Sequence, residues 1–190
     1  MRQPCSLFLG SATALAALLG ATTASALGPV GVEVGARVGG GTSTASSGPN
    51  PLGFGLGGRA GASIFNVYAG VSFMYYLGGS ESTPPSVIAA GGTGGTLSAK
   101  AILYGVDIGY NISAVFLTVR PQLGIGNFVL NGKIDGISTS GHNLYLEPGV
   151  TALIPLGIWF AGADLNLLVL PGAAESKAGF TADGQVGLNF

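Results

Sequence analysis

The sequence predicts an all-β protein, an eight-stranded antiparallel up-and-down transmembrane β-barrel. From Pro29 to the C-terminus, stretches of about ten residues alternate apolar side chains with small or polar ones, a period typical of strands with two different faces. Charged residues make up 8% of the chain and glycines number 35, whereas a soluble domain carries about 25% charged residues. The charges within the predicted strands lie on the face opposite the apolar one. This division suits a barrel with a lipid-facing apolar surface and a polar lumen.

The N-terminus has the three parts of a secretory signal peptide. Arg2 supplies a positive charge, residues 7–19 form an apolar core, and Ala24–Ala26 is a small-x-small cleavage site. The core is too short for a membrane-spanning helix, which needs about 20 apolar residues. We therefore expect residues 1–26 to be a cleaved signal peptide and residues 27–190 to be the barrel domain. The single cysteine falls within the signal peptide, so disulfides should play no part in the exported chain.

The first strand shows the alternation most clearly. Its apolar face runs from Val30 to Val38, and its other face carries Glu33 and Arg37. The same pattern recurs along the chain between segments rich in turn-forming residues. Bounded by the ends of their apolar faces, the predicted strands are residues 30–38, 52–64, 67–77, 102–110, 115–125, 144–152, 159–169 and 180–190.

The connections between the predicted strands alternate in length. Residues 65–66, 111–114 and 154–157 form short turns, and residues 39–51, 78–98, 130–142 and 171–178 form longer loops. Barrels of the Gram-negative outer membrane have this asymmetry, with short periplasmic turns and long extracellular loops. An even number of strands then places both termini in the periplasm. A soluble lipocalin-like barrel, with its apolar faces turned inward, remains an alternative fold.

The inward face of the predicted barrel collects the charges that we name the lumen charge belt. Its members are Glu33, Arg37, Arg59, Asp107, Arg120, Glu147, Asp164 and Asp183. Inside the barrel these groups can pair, whereas an Arg or Lys in the lipid-facing midplane costs about 2–4 kcal/mol. The belt is interpreted as structural, with a gate or an ion-selective constriction as the alternative.

Hairpin geometry predicts particular partners within the belt. The hairpin of the fourth and fifth predicted strands should place Asp107 opposite Arg120, with Glu147 on the other side of Arg120, and the first hairpin should bring Glu33 near Arg59. Glu147 and Asp164 are expected to face each other. Eight strands leave an interior just wide enough for side chains to fill. The aromatic side chains expected to take up this space are Tyr68, Tyr76, Phe116, Tyr145 and Phe160.

The last strand carries a specific signal. Val186, Leu188 and the terminal Phe190 stand at alternate positions. This resembles the C-terminal recognition strand of Gram-negative outer-membrane proteins, which the barrel-assembly machinery reads. With the signal peptide and eight strands, the chain resembles the small OmpA/OmpX-type barrel superfamily. The resemblance implies a monomer in the outer membrane, with membrane lipid and the assembly machinery as partners and no catalytic motif.

Two prolines break the strand pattern. Pro121 and Pro148 cannot donate to a ladder of hydrogen bonds, and a closed barrel has no edge strand to hold them. They should lie almost opposite each other. One interpretation is a bulge that helps the sheet to curve. The other is a weakened seam that admits a lipid or apolar ligand from the side, similar to the seams of PagP-type palmitoyltransferase barrels.

Enzymatic chemistry has little support in the sequence. The only histidine, His142, follows Ser138 and Ser140 near the outer end of its strand, but the His-x-Ser motif of the lipid A deacylases is absent. A nucleophilic serine needs a base within hydrogen-bond reach and a group to orient that base. The sequence has no metal-ligand spacing and no cofactor motif, and no basic patch indicates nucleic-acid binding.

Three functions remain open at this point. The first is a non-enzymatic barrel with a structural or surface-interaction role and a largely closed lumen. The second is a narrow channel or a lateral transporter of small apolar molecules. The third is an enzyme that modifies lipid A in the outer leaflet. Conductance in planar bilayers separates the first two, and mass analysis of lipid A tests the third.

Overall fold

The structure is a computed structural model, and it describes residues 30–44, 49–82, 96–114, 116–134, 137–171 and 177–190. The predicted signal peptide lies outside the described residues. None of the described residues belongs to a helix long and apolar enough to cross a membrane. The strands are β1 (Val30–Ser43), β2 (Gly55–Ile64), β3 (Val67–Ser82), β4 (Thr96–Tyr110), β5 (Ile112–Ser113), β6 (Thr118–Ile134), β7 (Ile137–Leu156), β8 (Trp159–Leu170) and β9 (Lys177–Asn189).

Eight long strands close into a barrel, as predicted. Each pairs antiparallel with its neighbours in chain order, and β9 returns to pair with β1, where Gly35 lies opposite Gly187. The short β5 only lengthens the hairpin between β4 and β6, since Ile112 pairs with Val119. Closure leaves no free edge among the eight long strands, so their backbone groups can be satisfied within the sheet, as a lipid environment requires.

The two faces of the sheet have opposite chemistry. On the outer face, Leu56, Ile108 and Val186 are 53%, 62% and 58% exposed. On the inner face, Asp183 and Gln185 are buried between the outward residues of β9. The apolar faces that the alternation predicts therefore point away from the lumen, and the lipocalin-like alternative, which needs those faces inside, is wrong.

The barrel has a turn end and a loop end. The turn end holds the turns at residues 65–66, 114–117 and 157–158, and the loop end is the opposite one. Phe65 and Gly157 adopt positive φ angles of 56° and 74° at two of these turns. The C-terminus also lies at the turn end, because Val32 and Phe190 exchange backbone hydrogen bonds of 2.9 and 2.8 Å.

The hairpin between β4 and β6 departs from the sequence prediction. Its turn was expected at residues 111–114, but the Ala114 N–H donates to the Leu117 carbonyl over 2.7 Å, so the turn lies at residues 114–117. Asn111 stays on the strand side, where its N–H donates to the carbonyl of Asn66. With the turn moved, Asp107 lies opposite Gly124, four residues along β6 from the Arg120 that was expected there. Phe116, expected in the lumen, is instead 74% exposed at the turn.

The loop end of the lumen is filled by an apolar cluster. The cluster consists of Leu52, Met74, Tyr76, Ala101, Leu103, Phe128, Tyr145, Leu168 and Leu170, with Leu130 packed against it. Leu52 was expected on the lipid face of the second strand, but β2 begins only at Gly55. The residues before β2 fold inward instead: the Gly41 N–H donates to the Leu52 carbonyl, and the Asn50 side chain binds both Gly41 and Leu52. Leu52 is 1% exposed and caps the lumen.

Candidate functional site in the barrel lumen

The side chains of the lumen charge belt all lie inside the barrel, as the strand register requires. Seven of its members are no more than 5% exposed, and the eighth, Glu147, is 8% exposed. The period of two explains this placement, because the charged residues of each strand share the parity of its inward face. The belt sets five carboxylates against three guanidiniums, all buried, so each group needs a partner.

The lower part of the belt, toward the turn end, centres on Glu33. Both oxygens of its carboxylate accept from the two terminal nitrogens of Arg120, over 2.6 and 2.7 Å. The Arg120 Nε donates to the Oδ1 atom of Asn111 over 2.6 Å. Arg59 lies farther off, with its Nε 3.7 Å from Glu33. The predicted proximity of Glu33 and Arg59 is confirmed, but Arg120 is the closer partner.

Tyr68 packs against both of these arginines. The Arg120 guanidinium lies 3.8 Å from the centre of the Tyr68 ring, and that of Arg59 lies 5.1 Å from it. Such cation–π contacts stabilise a guanidinium more strongly when water is absent. The ring fits because Gly61 and Gly70 leave room: a Cβ at Gly61 would meet the Tyr68 hydroxyl at 2.5 Å. The glycines of the inner face therefore leave room for the larger side chains that fill the lumen.

The middle of the belt centres on Asp164. Its carboxylate lies 3.2 Å from the Nε atom of Arg37 and 3.3 Å from the Nη1 atom of Arg59. The Thr151 hydroxyl and the Gln185 amide also donate to it, the latter over 3.0 Å. Arg37 in addition donates to Asp183 over 3.0 Å. Asp164 is fully buried, and four side chains from four other strands bind it.

Two belt members lie higher in the lumen and do not reach Arg120. Asp107 and Glu147 both lie opposite Gly124 of β6, four residues from Arg120 along that strand. Among the described residues, no ion pair joins either carboxylate to Arg120, so the predicted Asp107–Arg120 and Glu147–Arg120 pairs are wrong. Glu147 accepts a 3.4 Å hydrogen bond from the Thr181 hydroxyl.

The predicted opposition of Glu147 and Asp164 is also wrong. The residue opposite Asp164 on β7 is Thr151, because the turn between β7 and β8 lies at residues 157–158 rather than 154–157. On β7 a hydroxyl donor therefore lies opposite Asp164, and the carboxylate that lies opposite it is Asp183 of β9. Sequence reasoning missed Thr151 and the neighbouring Gln122, although their inward parity was readable.

A small cavity opens at the turn end of the lumen. It has a volume of about 210 Å³, and its lining includes Asn111, Phe160 and the Glu33–Arg120 pair. Above that pair lie the Asp164 centre and then the apolar cluster. The lumen thus holds three successive layers of side chains between the turn end and the loop end: the Glu33–Arg120 pair, the Asp164 centre and the apolar cluster.

The two prolines differ in their effect on the sheet. Pro121 lies opposite Val150 and Pro148 opposite Leu123, so they stand two residues apart rather than opposite each other. The pairing of β7 with β8 runs from Leu146 directly to Gly149 and omits Glu147 and Pro148. The interruption of the β7–β8 ladder is therefore attributed to Pro148, which has no N–H to donate.

The remaining sequence candidates, His142 and the two serines before it, Ser138 and Ser140, lie on β7. His142 is exposed and lies opposite Val129, and Ser140 lies opposite Asn131. No hydrogen bond joins His142 to either serine among the described residues. In the described part of the chain, no group of histidine, cysteine, aspartate and glutamate side chains could hold a metal ion.

Comparison with known proteins agrees with the barrel. Residues 11–170 match the family model described as "Outer membrane protein beta-barrel domain". The chain belongs to this family of outer-membrane β-barrels. The protein is therefore an integral β-barrel of the bacterial outer membrane.

Solved structures support the same fold. A major outer membrane protein from Thermus thermophilus superposes with a TM-score of 0.59 at 14% identity, covering 85% of this chain and 99% of that one. Neisserial surface protein A (NspA) superposes with a TM-score of 0.55 at 15% identity, covering 85% and 97%. A comparison with curated proteins found no match. At these identities, the structural likeness establishes the barrel fold alone.

Proposed function

We propose that this outer-membrane barrel is a non-enzymatic protein with a structural or surface-interaction role and a sealed lumen. The observation that carries the proposal is the layering of the lumen. The Glu33–Arg120 pair, the Asp164 centre and the apolar cluster capped by Leu52 lie one above another. Each layer consists of side chains from several strands, so together they block the cross-section.

The long strands support a role at the cell surface. A tilted strand crosses a bilayer with about 9–11 residues, whereas β6 and β7 have 17 and 20. The hairpin that they form therefore extends past the bilayer at the loop end. If the loop end lies outside the cell, the β6–β7 hairpin exposes polar strand surface to extracellular molecules.

Single-channel recording in planar bilayers tests the sealed lumen. The refolded wild-type barrel should show no steady conductance, because three layers of buried side chains would have to separate together. A variant with Arg120→Ala and Leu52→Gly removes a bulky group from two layers and should conduct more often. A stable, frequent open state in the wild type would refute the sealed lumen.

A lateral pathway is the second candidate, and the interruption at Pro148 favours it. Two residues of β7 lack partners on β8 at the level where the belt meets the apolar cluster. Replacing Pro148 with Val would allow a continuous ladder. If the barrel transports apolar molecules sideways, this variant should lose uptake of a fluorescent apolar probe into vesicles, while the Pro121→Val control keeps it.

We further propose that the alternate apolar residues at the C-terminus, Val186, Leu188 and Phe190, guide insertion by the assembly machinery. Val186 points outward and is 58% exposed. The backbone groups of Phe190 exchange hydrogen bonds with those of Val32. These residues thus lie on the strand whose pairing with β1 closes the barrel. Its replacement should affect insertion in cells more than the closed fold.

A further inference from the structure

We propose that a groove on the outer surface of the loop end binds the phosphate of an outer-leaflet lipid headgroup, held between Lys100 and Lys133. The groove crosses β4, β6 and β7 and has a volume of about 460 Å³. Its outward-facing lining residues are Ser98, Lys100, Asn131, Lys133, Ser138 and Ser140. The inference rests on the proposed orientation, in which the loop end lies outside the cell.

The strand register brings the two lysines together. Lys100 lies opposite Asn131, and Lys133 lies opposite Ser98, so the lysines are diagonal neighbours on one face of the sheet. Diagonal neighbours have Cα atoms about 7–8 Å apart. Two flexible ammonium groups at that spacing repel each other, and an anion between them relieves the repulsion. The site therefore fits a small, multiply charged oxyanion.

Hydroxyl groups complete the site on the neighbouring strand. Ser138 lies opposite Lys133, and Ser140 lies opposite Asn131. The hydroxyls and the Asn131 amide can donate to phosphate oxygens that the ammonium groups leave free. The described residues of the groove include two cations and no carboxylate. Glu81 lies one strand away, opposite Leu97, and Asp135 lies outside the described residues.

The height of the groove indicates a lipid headgroup rather than free phosphate. Lys100 stands ten residues along β4 from Tyr110 at the turn end, which at about 3.4 Å per residue and a tilt near 40° is a rise of about 25 Å. The apolar band of such barrels is also about 25 Å tall. Lys100 thus lies at the outer boundary of the band. Exposed apolar side chains continue below it, with Tyr104 44% and Leu144 50% exposed, where the acyl chains of a bound lipid would lie.

The positions of the lysines and arginines support an anion-binding site at the groove. Arg37, Arg59 and Arg120 are buried in the lumen, so they offer nothing to the membrane. Two of the remaining cations of the barrel, Lys100 and Lys133, stand together on neighbouring strands. The third, Lys177, starts β9 opposite Leu170, three strands away from β6. It supplies a control of the same charge at the same end of the barrel.

Native mass spectrometry of the refolded barrel in neutral detergent micelles tests the proposal. The probes are lipid A with two phosphates, the same lipid after dephosphorylation, and inorganic phosphate. The wild type should retain the phosphorylated lipid and lose about tenfold or more in affinity for the dephosphorylated form. Lys100→Gln with Lys133→Gln should lose a similar factor, and Lys177→Gln should stay within about twofold of the wild type.

Three results would overturn the proposal. The double variant could bind the phosphorylated lipid as well as the wild type, Lys177→Gln could lose as much as the double variant, or inorganic phosphate could bind while the lipid does not. Unchanged heat-dependent gel mobility shows that the variants are folded. Because micelles have no inside or outside, failure here is distinct from failure of the proposed orientation, which surface labelling of loop cysteines in intact cells measures.

Discussion

Replacing Arg120 should destabilise the barrel strongly. Its guanidinium makes two hydrogen bonds of 2.6 and 2.7 Å to Glu33 and one of 2.6 Å to Asn111. Glu33 is 5% exposed, and after Arg120→Ala its remaining ion-pair partner would be the Arg59 Nε at 3.7 Å. Breaking a buried ion pair by removing one partner costs about 3–5 kcal/mol, because the other charge stays buried. The loss of the Tyr68 stacking contact adds to this cost.

Equilibrium unfolding in urea, with the barrel refolded into lipid vesicles, measures the effect. Arg120→Ala should lower the free energy of unfolding by about 3 kcal/mol or more, whereas the exposed Lys133→Ala should change it by less than about 0.5 kcal/mol. Removing both partners, as Glu33→Leu with Arg120→Met, should cost much less than the two single changes together, since no charge is stranded. Additive single and double effects, or a silent Arg120→Ala, would refute the reasoning.

Three further predictions concern the assembly signal at Phe190, the packing of Leu52 in the apolar cluster and the space left by Gly124. Phe190→Lys should reduce insertion in cells much more than refolding into detergent, as cell fractionation beside a heat-modifiability gel would show; equal losses in both would count against an assembly signal. Leu52→Ala should cost about 2–5 kcal/mol of unfolding free energy, because the side chain is 1% exposed within the apolar cluster; a surface leucine truncated in parallel should be nearly neutral. Gly124→Val should hinder refolding, because a Cβ there would lie 2.8 Å from the Asp107 Oδ1 atom and 3.3 Å from the Glu147 Cβ atom; normal refolding yield would show that these carboxylates move freely.

The faces of the strands were predictable, because parity is a local property. Once Glu33 and Arg37 are assigned to one face of β1, the inward position of each follows from the period of two, and the same holds for Asp164 on β8. The apolar outward face followed from the same count. The structure agrees at each of these positions, since all three side chains are buried.

The ion-pair partners within the lumen were not predictable, because they depend on two properties that cannot be read from the sequence pattern. The first is the position of each turn. In the hairpin between β4 and β6, Asn111 and Ser113 look like turn residues, yet they pair or cap at the strand end, and the chain turns between Ala114 and Leu117. The displaced turn changes the register of the whole hairpin, and Asp107 lies opposite Gly124, four residues from Arg120.

The second concealed quantity is the stagger with which the sheet closes, and it decides which charges meet across the lumen. Arg120 on β6 reaches Glu33 on β1, and Arg59 on β2 reaches Asp164 on β8, although neither pair joins neighbouring strands. Hairpin reasoning considers only adjacent strands and cannot find such contacts. Because these contacts cross the lumen, they tie opposite walls together. Widening the lumen therefore breaks several buried ion pairs at once, which is the physical reason to expect that the charge belt keeps the barrel closed.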